Sequence, residues 1–268
     1  MRDRADELKE TLTRLDREGN YQAMLPLLEE AAGLTRDKYG DASAEYGAAL
    51  NDWGAVLRDI GRYQEAEDAF IKARAALEVS RGAGHPDYAT TLNNIAGLYR
   101  LWEKYDKAEE FYIAALAIYQ KTLGEEHFLH TSACNNLGLV YQARGQFAKA
   151  RELHLGSLER LRESGNRLAI TTTLSNLGQT YLSERNYPEA LRLFSQVKDD
   201  YGELVGTGHP LYATALNNLG AVSYLMGKYD EARHWYEESL GICEATFGPD
   251  APQTAAVKRM LGQRGAKA

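Results

Sequence analysis

A period of about forty-two residues is the feature of this sequence that most constrains its fold. Five similar segments recur: GRYQEAEDAF (61–70), EKYDKAEEFY (103–112), GQFAKARELH (145–154), RNYPEALRLF (185–194) and GKYDEARHWY (227–236). Successive segments begin 42, 42, 40 and 42 residues apart. Periods of this size are typical of repeat proteins, in which each unit buries its apolar face only by packing against its neighbours.

Each period holds two helical patterns. Upstream of the recurring segments lie LNDWGAVL, LNNIAGLY, CNNLGLVY, LSNLGQTY and LNNLGAVS, which begin at Leu50, Leu92, Cys134, Leu174 and Leu216. In one of them, Leu92, Ile95, Ala96 and Tyr99 recur at the spacing of a buried helical stripe. Glycine followed by proline separates units, as in GAGHPDY (82–88), which is the usual order of a helix stop and a helix start. Each unit is therefore predicted to be a helical hairpin.

Two positions of the hairpin are always small. The position in the first helix is filled by Gly54, Ala96, Gly138, Gly178 and Gly220, and the position in the second helix by Ala66, Ala108, Ala150, Ala190 and Ala232. Small side chains let two helix backbones approach closely. The sequence predicts that these two positions face each other.

The pattern within a unit resembles the tetratricopeptide repeat. The matching residues of one unit are Leu137, Gly138, Tyr141, Gly145, Phe147 and Ala150. The extra length per unit, seen in HPDYATTLNNIAGLY and YDKAEEFYIAALAIYQKTLGEEH, is similar to the kinesin light chain type of repeat. The resemblance covers residues 41–250 and implies an all-α fold, a right-handed superhelical solenoid of helical hairpins.

On this basis the chain is predicted to form a single solenoid over residues 1–268. A degenerate capping repeat occupies residues 3–40, where Met24 replaces the small alanine, and a capping helix with a tail occupies residues 251–268. Open repeat stacks need such polar caps. The five full units are residues 41–84, 85–126, 127–166, 167–208 and 209–250. Between the third and fourth units, RESGNRL replaces the histidine–proline turn.

The resemblance also implies a binding groove. In the family, positions two, five, six, nine, twelve and thirteen of each first helix line the concave face, counting Leu137 as position seven. Helical spacing agrees, because these positions form two stripes beside the buried one. The residues predicted to contact a peptide are Asn51, Arg58, Asn93, Asn94, Arg100, Asn135, Asn136, Leu139, Gln142, Asn176, Gln179, Leu182, Asn217, Asn218 and Tyr224.

Eight of these residues are asparagines inside helices. Each costs roughly 0.6 kcal/mol relative to alanine, so that together they cost about 5 kcal/mol. Two interpretations explain why they are there. Their amides either bond to the next repeat, or donate to and accept from the backbone of a bound peptide. Both interpretations stay open at position six, and the second is favoured at Asn93, Asn135 and Asn217, which occupy position five.

The polarity of the groove changes along the chain. Arg58 and Arg100 hold position twelve in the first two units, whereas Leu182 and Tyr224 hold it in the last two. A ligand is therefore expected to place acidic residues near the arginines and an aromatic or aliphatic anchor near the apolar pair.

Composition narrows the function further. A net charge of −7 and a pI near 5.5 argue against a broad surface for nucleic acid or anionic membrane. No signal peptide or membrane span is readable, so a cytoplasmic protein is expected. With charged terminal segments and no heptad seam, we expect mainly a monomer.

No motif of catalytic or cofactor chemistry is evident, and neither a cofactor nor a metal is expected. His85, His127 and His209 recur at the turn between units and are too far apart to share one ion. They are predicted to serve the turn. His154 is at an aromatic core position, and Cys134 and Cys243 fall in apolar helical stretches, where small buried residues are expected.

These patterns predict a protein-interaction adaptor rather than an enzyme, with an extended or short helical peptide segment of a partner protein as its ligand. Two alternatives remain open. One is a regulatory module of a larger signalling or transcription-regulating protein. The other is a self-assembling scaffold, whose mark would be an apolar surface at residues 1–40 or 251–268.

Overall fold

The computed structural model describes residues 4–17 and 19–265, and all regular secondary structure in them is helical. Each predicted unit between residues 41 and 250 contains two helices, and a further pair precedes them. The helices are α1 (Arg4–Arg17), α2 (Tyr21–Tyr39), α3 (Ala44–Asp59), α4 (Tyr63–Arg81), α5 (Pro86–Leu101), α6 (Tyr105–Leu123), α7 (Phe128–Ala143), α8 (Phe147–Ser164), α9 (Arg167–Ser183), α10 (Tyr187–Leu204), α11 (Pro210–Leu225), α12 (Tyr229–Phe247) and α13 (Pro252–Gly265).

Two compact units make up the chain, residues 1–140 and residues 141–268. In the first unit α3 packs against α4 and α5 against α6, and in the second unit α9 packs against α10 and α11 against α12. Each unit has its own apolar core. One cluster of the first unit contains Leu92 and Tyr119, and one cluster of the second contains Tyr201 and Leu216. The all-α fold of helical hairpins predicted from the sequence is confirmed.

The turns between hairpins use the recurring histidines as helix caps. The Nδ1 atom of His85 accepts a hydrogen bond from the backbone N–H two residues later at 3.1 Å, and His127 and His209 do the same at 3.2 and 3.1 Å. Their predicted role in the turn is confirmed. Where RESGNRL replaces the histidine, the side chain of Asn166 caps α9 instead, accepting from the N–H of Ala169.

The small position of the first helix lies against an aromatic ring of the second helix. A Cβ atom added to Gly54 would lie 2.7 Å from a ring carbon of Phe70, and Gly220 has the same relation to Tyr236. The sequence did not predict this ring, and the contact between the two small positions stays a prediction. The ring belongs to the residue four positions after the alanine, on the same helix face, and it fills the space that the missing side chain leaves.

His154 replaces this aromatic ring in the third hairpin. Its side chain is fully buried, as predicted for a core position. Burial disfavours the charged imidazolium and lowers the pKa of His154 to about 4. Cys134 and Cys243 are buried free cysteines, which agrees with their predicted role as small core residues.

Candidate peptide-binding groove

Side-chain amides join neighbouring first helices in the first unit. The Nδ2 group of Asn51 on α3 donates to the hydroxyl of Thr91 on α5 at 2.8 Å. The Nδ2 group of Asn94 on α5 donates back to the Oδ1 atom of Asn51 at 3.5 Å. Asn51 is only 9% exposed, so both polar ends of its amide are used within the protein. This geometry favours a structural role for Asn51 and Asn94.

A similar set of contacts joins α7, α9 and α11 in the second unit. The Nε2 group of Gln142 donates to the hydroxyl of Ser183 at 3.0 Å. The Nε2 group of Gln179 donates to the Oδ1 atom of Asn218 at 2.5 Å, and Asn218 donates to Ser175 at 3.4 Å. We refer to the side-chain amides of Asn51, Asn94, Gln142, Gln179 and Asn218 as the inter-repeat amides.

Asn93 and Asn217 differ in their contacts from Asn94 and Asn218, the residues that follow them in the sequence. Both side chains are half-buried, and the Oδ1 atom of each is buried without a hydrogen-bond partner in the part of the chain that the structure describes. A buried acceptor with no donor carries a free-energy cost of about 1–3 kcal/mol. These two residues occupy position five in the second and fifth repeats, so an amide oxygen without a described donor occurs at this position in each compact unit.

The remaining predicted asparagines are accessible. Asn135, Asn136 and Asn176 are half-buried. The side chains of Asn136 and Asn176 make no hydrogen bond to another described residue. They are therefore able to contact a ligand without first breaking an internal bond.

The structure brings Arg58 and Arg100 together at the side of Gly97. An Nη1 atom of Arg58 lies 3.3 Å from where a Cβ of Gly97 would be, and the Nε atom of Arg100 is buried without a partner among the described residues. Burial raises the pKa of the Tyr112 hydroxyl, while the positive charges of Arg100 and Arg58 lower it. Both guanidinium groups therefore act on one small region of the first unit.

Only one of the two arginines has a carboxylate partner in this region. Arg58 forms an ion pair with Asp59, with 2.8 Å between Nε and Oδ1. Arg100 forms no ion pair with a described residue. A guanidinium that is half-buried and lacks a carboxylate is suited to bind an anionic group.

In the second compact unit, position twelve of the first helices is held by Leu182 and Tyr224 instead of arginine. Leu182 is half-buried and packs against a cluster that includes Phe194 and Leu219. Tyr224 is half-buried, with its ring centroid 5.1 Å from that of Tyr229, and Leu225 beside it is 48% exposed. In the first unit, Leu139 is half-buried on α7.

Sequence reasoning missed a cavity of about 740 Å³ among α1, α2 and α3. Asp52 and Asp59 lie in its wall, at concave positions six and thirteen of the first full unit. The replacement of the small alanine by Met24 is the signal that could have revealed it.

Two further findings concern the described residues as a whole. No group of three or more histidine, cysteine, aspartate or glutamate side chains among them is arranged to hold a metal ion. None of their helices has both the length and the apolar character needed to cross a membrane.

Comparison with known sequences places this architecture in a family. The tetratricopeptide repeat family matches residues 45–121, 128–203 and 211–264, which is more than half of the chain. The chain therefore belongs to the tetratricopeptide repeat family. A curated relative, the clustered mitochondria protein homolog of Emericella nidulans, is 31% identical over 78 residues, which are 29% of this chain and 6% of that protein. The chain thus spans only a small part of the length of the curated relatives it matches.

Solved structures confirm the type of repeat. BtubC (BKLC) from P. vanneervenii has a TM-score of 0.65 at 22% identity, covering 88% of this chain and 92% of that chain. A Podosopora anserina putative kinesin light chain has a TM-score of 0.58 at 21% identity, covering 74% and 95%. The Rap conjugation gene regulator of plasmid pLS20, solved with a Phr peptide, has a TM-score of 0.64 at 17% identity, covering 82% and 63%. The predicted similarity to kinesin light chain repeats is confirmed.

Proposed function

We propose that this chain is a protein-interaction adaptor that binds an extended or short helical segment of a partner protein in its groove. The main support is the contrast between neighbouring asparagines. Asn94 and Asn218 are used to join repeats, whereas Asn93 and Asn217 each bury an amide oxygen that has no donor within the described protein. Because each side chain is only half-buried, a change of its rotamer would turn this oxygen toward the groove, where a peptide N–H can supply the donor.

The chemistry of the amide suits a peptide backbone. One asparagine side chain both accepts and donates, so it can pair with the N–H and C=O groups of an extended chain whatever its sequence. The Rap regulator, which has a similar fold, is solved with a bound peptide. Binding without catalysis is the activity that we infer for this chain.

The side chains around these asparagines suggest the sequence of the ligand. A segment bound in the first unit would carry acidic residues near Arg58 and Arg100. A segment bound in the second unit would carry an aromatic or aliphatic anchor near Leu182 and Tyr224. The first contact depends on charge and is screened by salt, whereas the second depends on burial of apolar surface.

Peptide selection followed by affinity measurement tests the proposal. A peptide library displayed on phage is selected against the full chain, and the dissociation constants of the selected peptides are measured by calorimetry. We expect Asn93→Ala or Asn217→Ala to weaken binding by about tenfold, the worth of one or two hydrogen bonds in a desolvated site. The matched control is Asn186→Ala, because Asn186 is exposed and its side chain does not cap its helix.

A second variant separates the polar and charged contributions. For peptides that bind the first unit, Arg100→Ala should weaken binding by about 0.5–1 kcal/mol, and the loss should shrink at high salt. If both asparagine variants and Arg100→Ala bind selected peptides as tightly as the unaltered chain, the ligand lies elsewhere and the proposal fails.

A further inference from the structure

The cavity among α1, α2 and α3 has the form of a ligand pocket in the first unit. Its volume of about 740 Å³ falls within the range of about 300–1,000 Å³ that is usual for small-molecule sites. Apolar side chains from three helices line much of it, among them Leu8 and Leu12 on α1, Met24 and Leu28 on α2, and Val56 on α3.

Carboxylates outnumber cations in the wall of the cavity. Four acidic residues line it, Asp16, Glu45, Asp52 and Asp59, against two lysines, Lys9 and Lys38. Asp59 is paired with Arg58, but Asp16, Glu45 and Asp52 form no ion pair with a described residue. Lys38 lies over the ring of Tyr39 at 5.0 Å. The uncompensated charge in the wall is therefore negative.

Two of the acidic groups, Asp16 and Asp59, act on the same tyrosine. The pKa of the Tyr21 hydroxyl is raised by burial, and the charges of Asp16 and Asp59 raise it further, which places both carboxylates close to this ring. The side chain of Asp52 is exposed at the cavity, and partial desolvation by the neighbouring protein raises its pKa. A positive group placed among these side chains would favour their negatively charged forms and so lower the pKa values of Tyr21 and Asp52.

We propose that this cavity binds a small amphiphilic organic cation, whose apolar body packs against Leu12, Met24 and Leu28 and whose ammonium group pairs with an unpaired carboxylate of the wall, Asp52 or Asp16. The site is separate in its residues from the asparagines of the peptide groove. This ligand matches the lining of the cavity, because its apolar body complements the apolar side chains and its positive charge complements the unpaired carboxylates.

Methionine methyl NMR gives a direct test in the intact chain. Met24 lines the cavity, whereas Met226 and Met260 belong to the second unit and serve as internal references. Three probes with the same apolar body are added in turn: phenylbutylammonium, phenylbutanol and phenylbutyrate. We expect the ammonium compound to shift the Met24 methyl signal at a concentration at least about tenfold lower than the carboxylate requires.

Variants assign the effect to the proposed residues. Asp52→Asn should weaken phenylbutylammonium binding by about tenfold, because it removes one charge-assisted contact. Asp68→Asn is the matched control, since Asp68 is exposed on α4 in the same unit and does not line the cavity. Ala31→Phe should fill the space and abolish binding while leaving the carboxylates in place.

Several outcomes would overturn the proposal. These are an equal response to phenylbutyrate, equal shifts at Met226 and Met260, or unchanged binding in both Asp52→Asn and Asp16→Asn. A Met24 shift caused by concentrating the chain alone would show that a second copy fills the cavity, and the proposal would again be wrong. Loss of peptide binding in the groove variants leaves this test unaffected, so the two proposals fail independently.

Discussion

Gly54 shows how a single missing side chain sets the packing of a hairpin. Its backbone lies against the fully buried ring of Phe70, with no room for a methyl group. We expect Gly54→Ala to lower the free energy of unfolding by about 1–3 kcal/mol, because the Cβ atom overpacks the core by more than helix propensity returns. Urea denaturation followed by circular dichroism measures the change.

Gly33 is the matched control for this substitution. It lies inside α2 in the same compact unit, and a Cβ added there would meet nothing within 4 Å. Gly33→Ala should raise the free energy of unfolding by about 0.5–1 kcal/mol. Stabilisation by both substitutions would mean that the ring of Phe70 moves aside, and the packing described here would be incorrect.

His154 makes the stability of the chain depend on pH. Because its pKa falls from 6.5 to about 4 on folding, the unfolded chain binds a proton first as the pH drops. The contribution of neutral His154 to the free energy of unfolding is therefore complete above about pH 6.5. It is lost progressively between about pH 6.5 and pH 4, and the loss amounts to ~3 kcal/mol in all. In His154→Phe, which restores the ring found at Phe70 and Phe194, this dependence should be absent.

The difference between the two proteins isolates the histidine. Denaturation at about pH 7 and at about pH 5 should show a loss of stability about 2 kcal/mol larger for the unaltered chain than for His154→Phe. Equal losses in the two proteins would show that His154 is able to accept a proton in the folded state at little cost.

The sequence favoured a peptide contact for Asn93, Asn135 and Asn217 but left the role of the asparagines at position six open. Asn217 and Asn218 are adjacent and chemically identical, and helical spacing puts both at the groove. Which of them meets Gln179 depends on the register between two repeats, and that register is set by packing of the apolar stripes rather than by the amides. The same reason explains why the ring of Phe70 against Gly54 was not predicted, since periodicity gives the face of a helix but not the atoms across from it.

At the scale of helices, local signals were sufficient. α5 and α11 begin at the prolines of the histidine–proline turns, and glycines with positive φ follow α4 and α12. These are positions where the backbone needs a fixed or left-handed φ angle, so the residue type itself carries the information. The cavity beside α1 could not be predicted in the same way, because it depends on the distances between three helices and no single residue type encodes those distances.

The inter-repeat amides are expected to stabilise the packing of first helices. Asn218→Ala removes the acceptor of Gln179 and the donor to Ser175, so it should lower the free energy of unfolding by about 1 kcal/mol or more. Asn217→Ala removes an unpaired acceptor and a poor helix former, and it should leave stability unchanged or raise it by up to about 0.6 kcal/mol. Thermal and urea denaturation compare the two. A larger loss of stability in Asn217→Ala than in Asn218→Ala would contradict the structural role assigned to Asn218.

For the whole molecule, the period of the sequence was enough to predict the fold. One hairpin cannot bury its apolar face alone, so five copies of the same pattern require a stack. The division into two compact units was not foreseen, because the boundary at residues 140 and 141 falls inside α7 and no proline- or glycine-rich linker marks it. The single solenoid over residues 1–268 stays a prediction.

Assembly is a further property of the whole chain. Its first described helix carries exposed charges at Arg4, Glu7 and Lys9, which oppose burial of that end against a second copy. We therefore expect a monomer of 29.9 kDa at micromolar concentration in light scattering after gel filtration. A stable species of twice that mass would favour the self-assembling scaffold considered from the sequence.

Asparagine side-chain NMR tests the peptide-binding groove most directly. The chain has eleven asparagines, and labelling them with ¹⁵N reports on each side-chain amide separately. On addition of a selected peptide, we expect the signals of Asn93 or Asn217 to move, because their amides gain a partner. The signals of Asn20, Asn166 and Asn186, which lie at helix starts outside the groove, should stay in place. A peptide that binds while the Asn93 and Asn217 signals remain fixed would contradict the proposed groove.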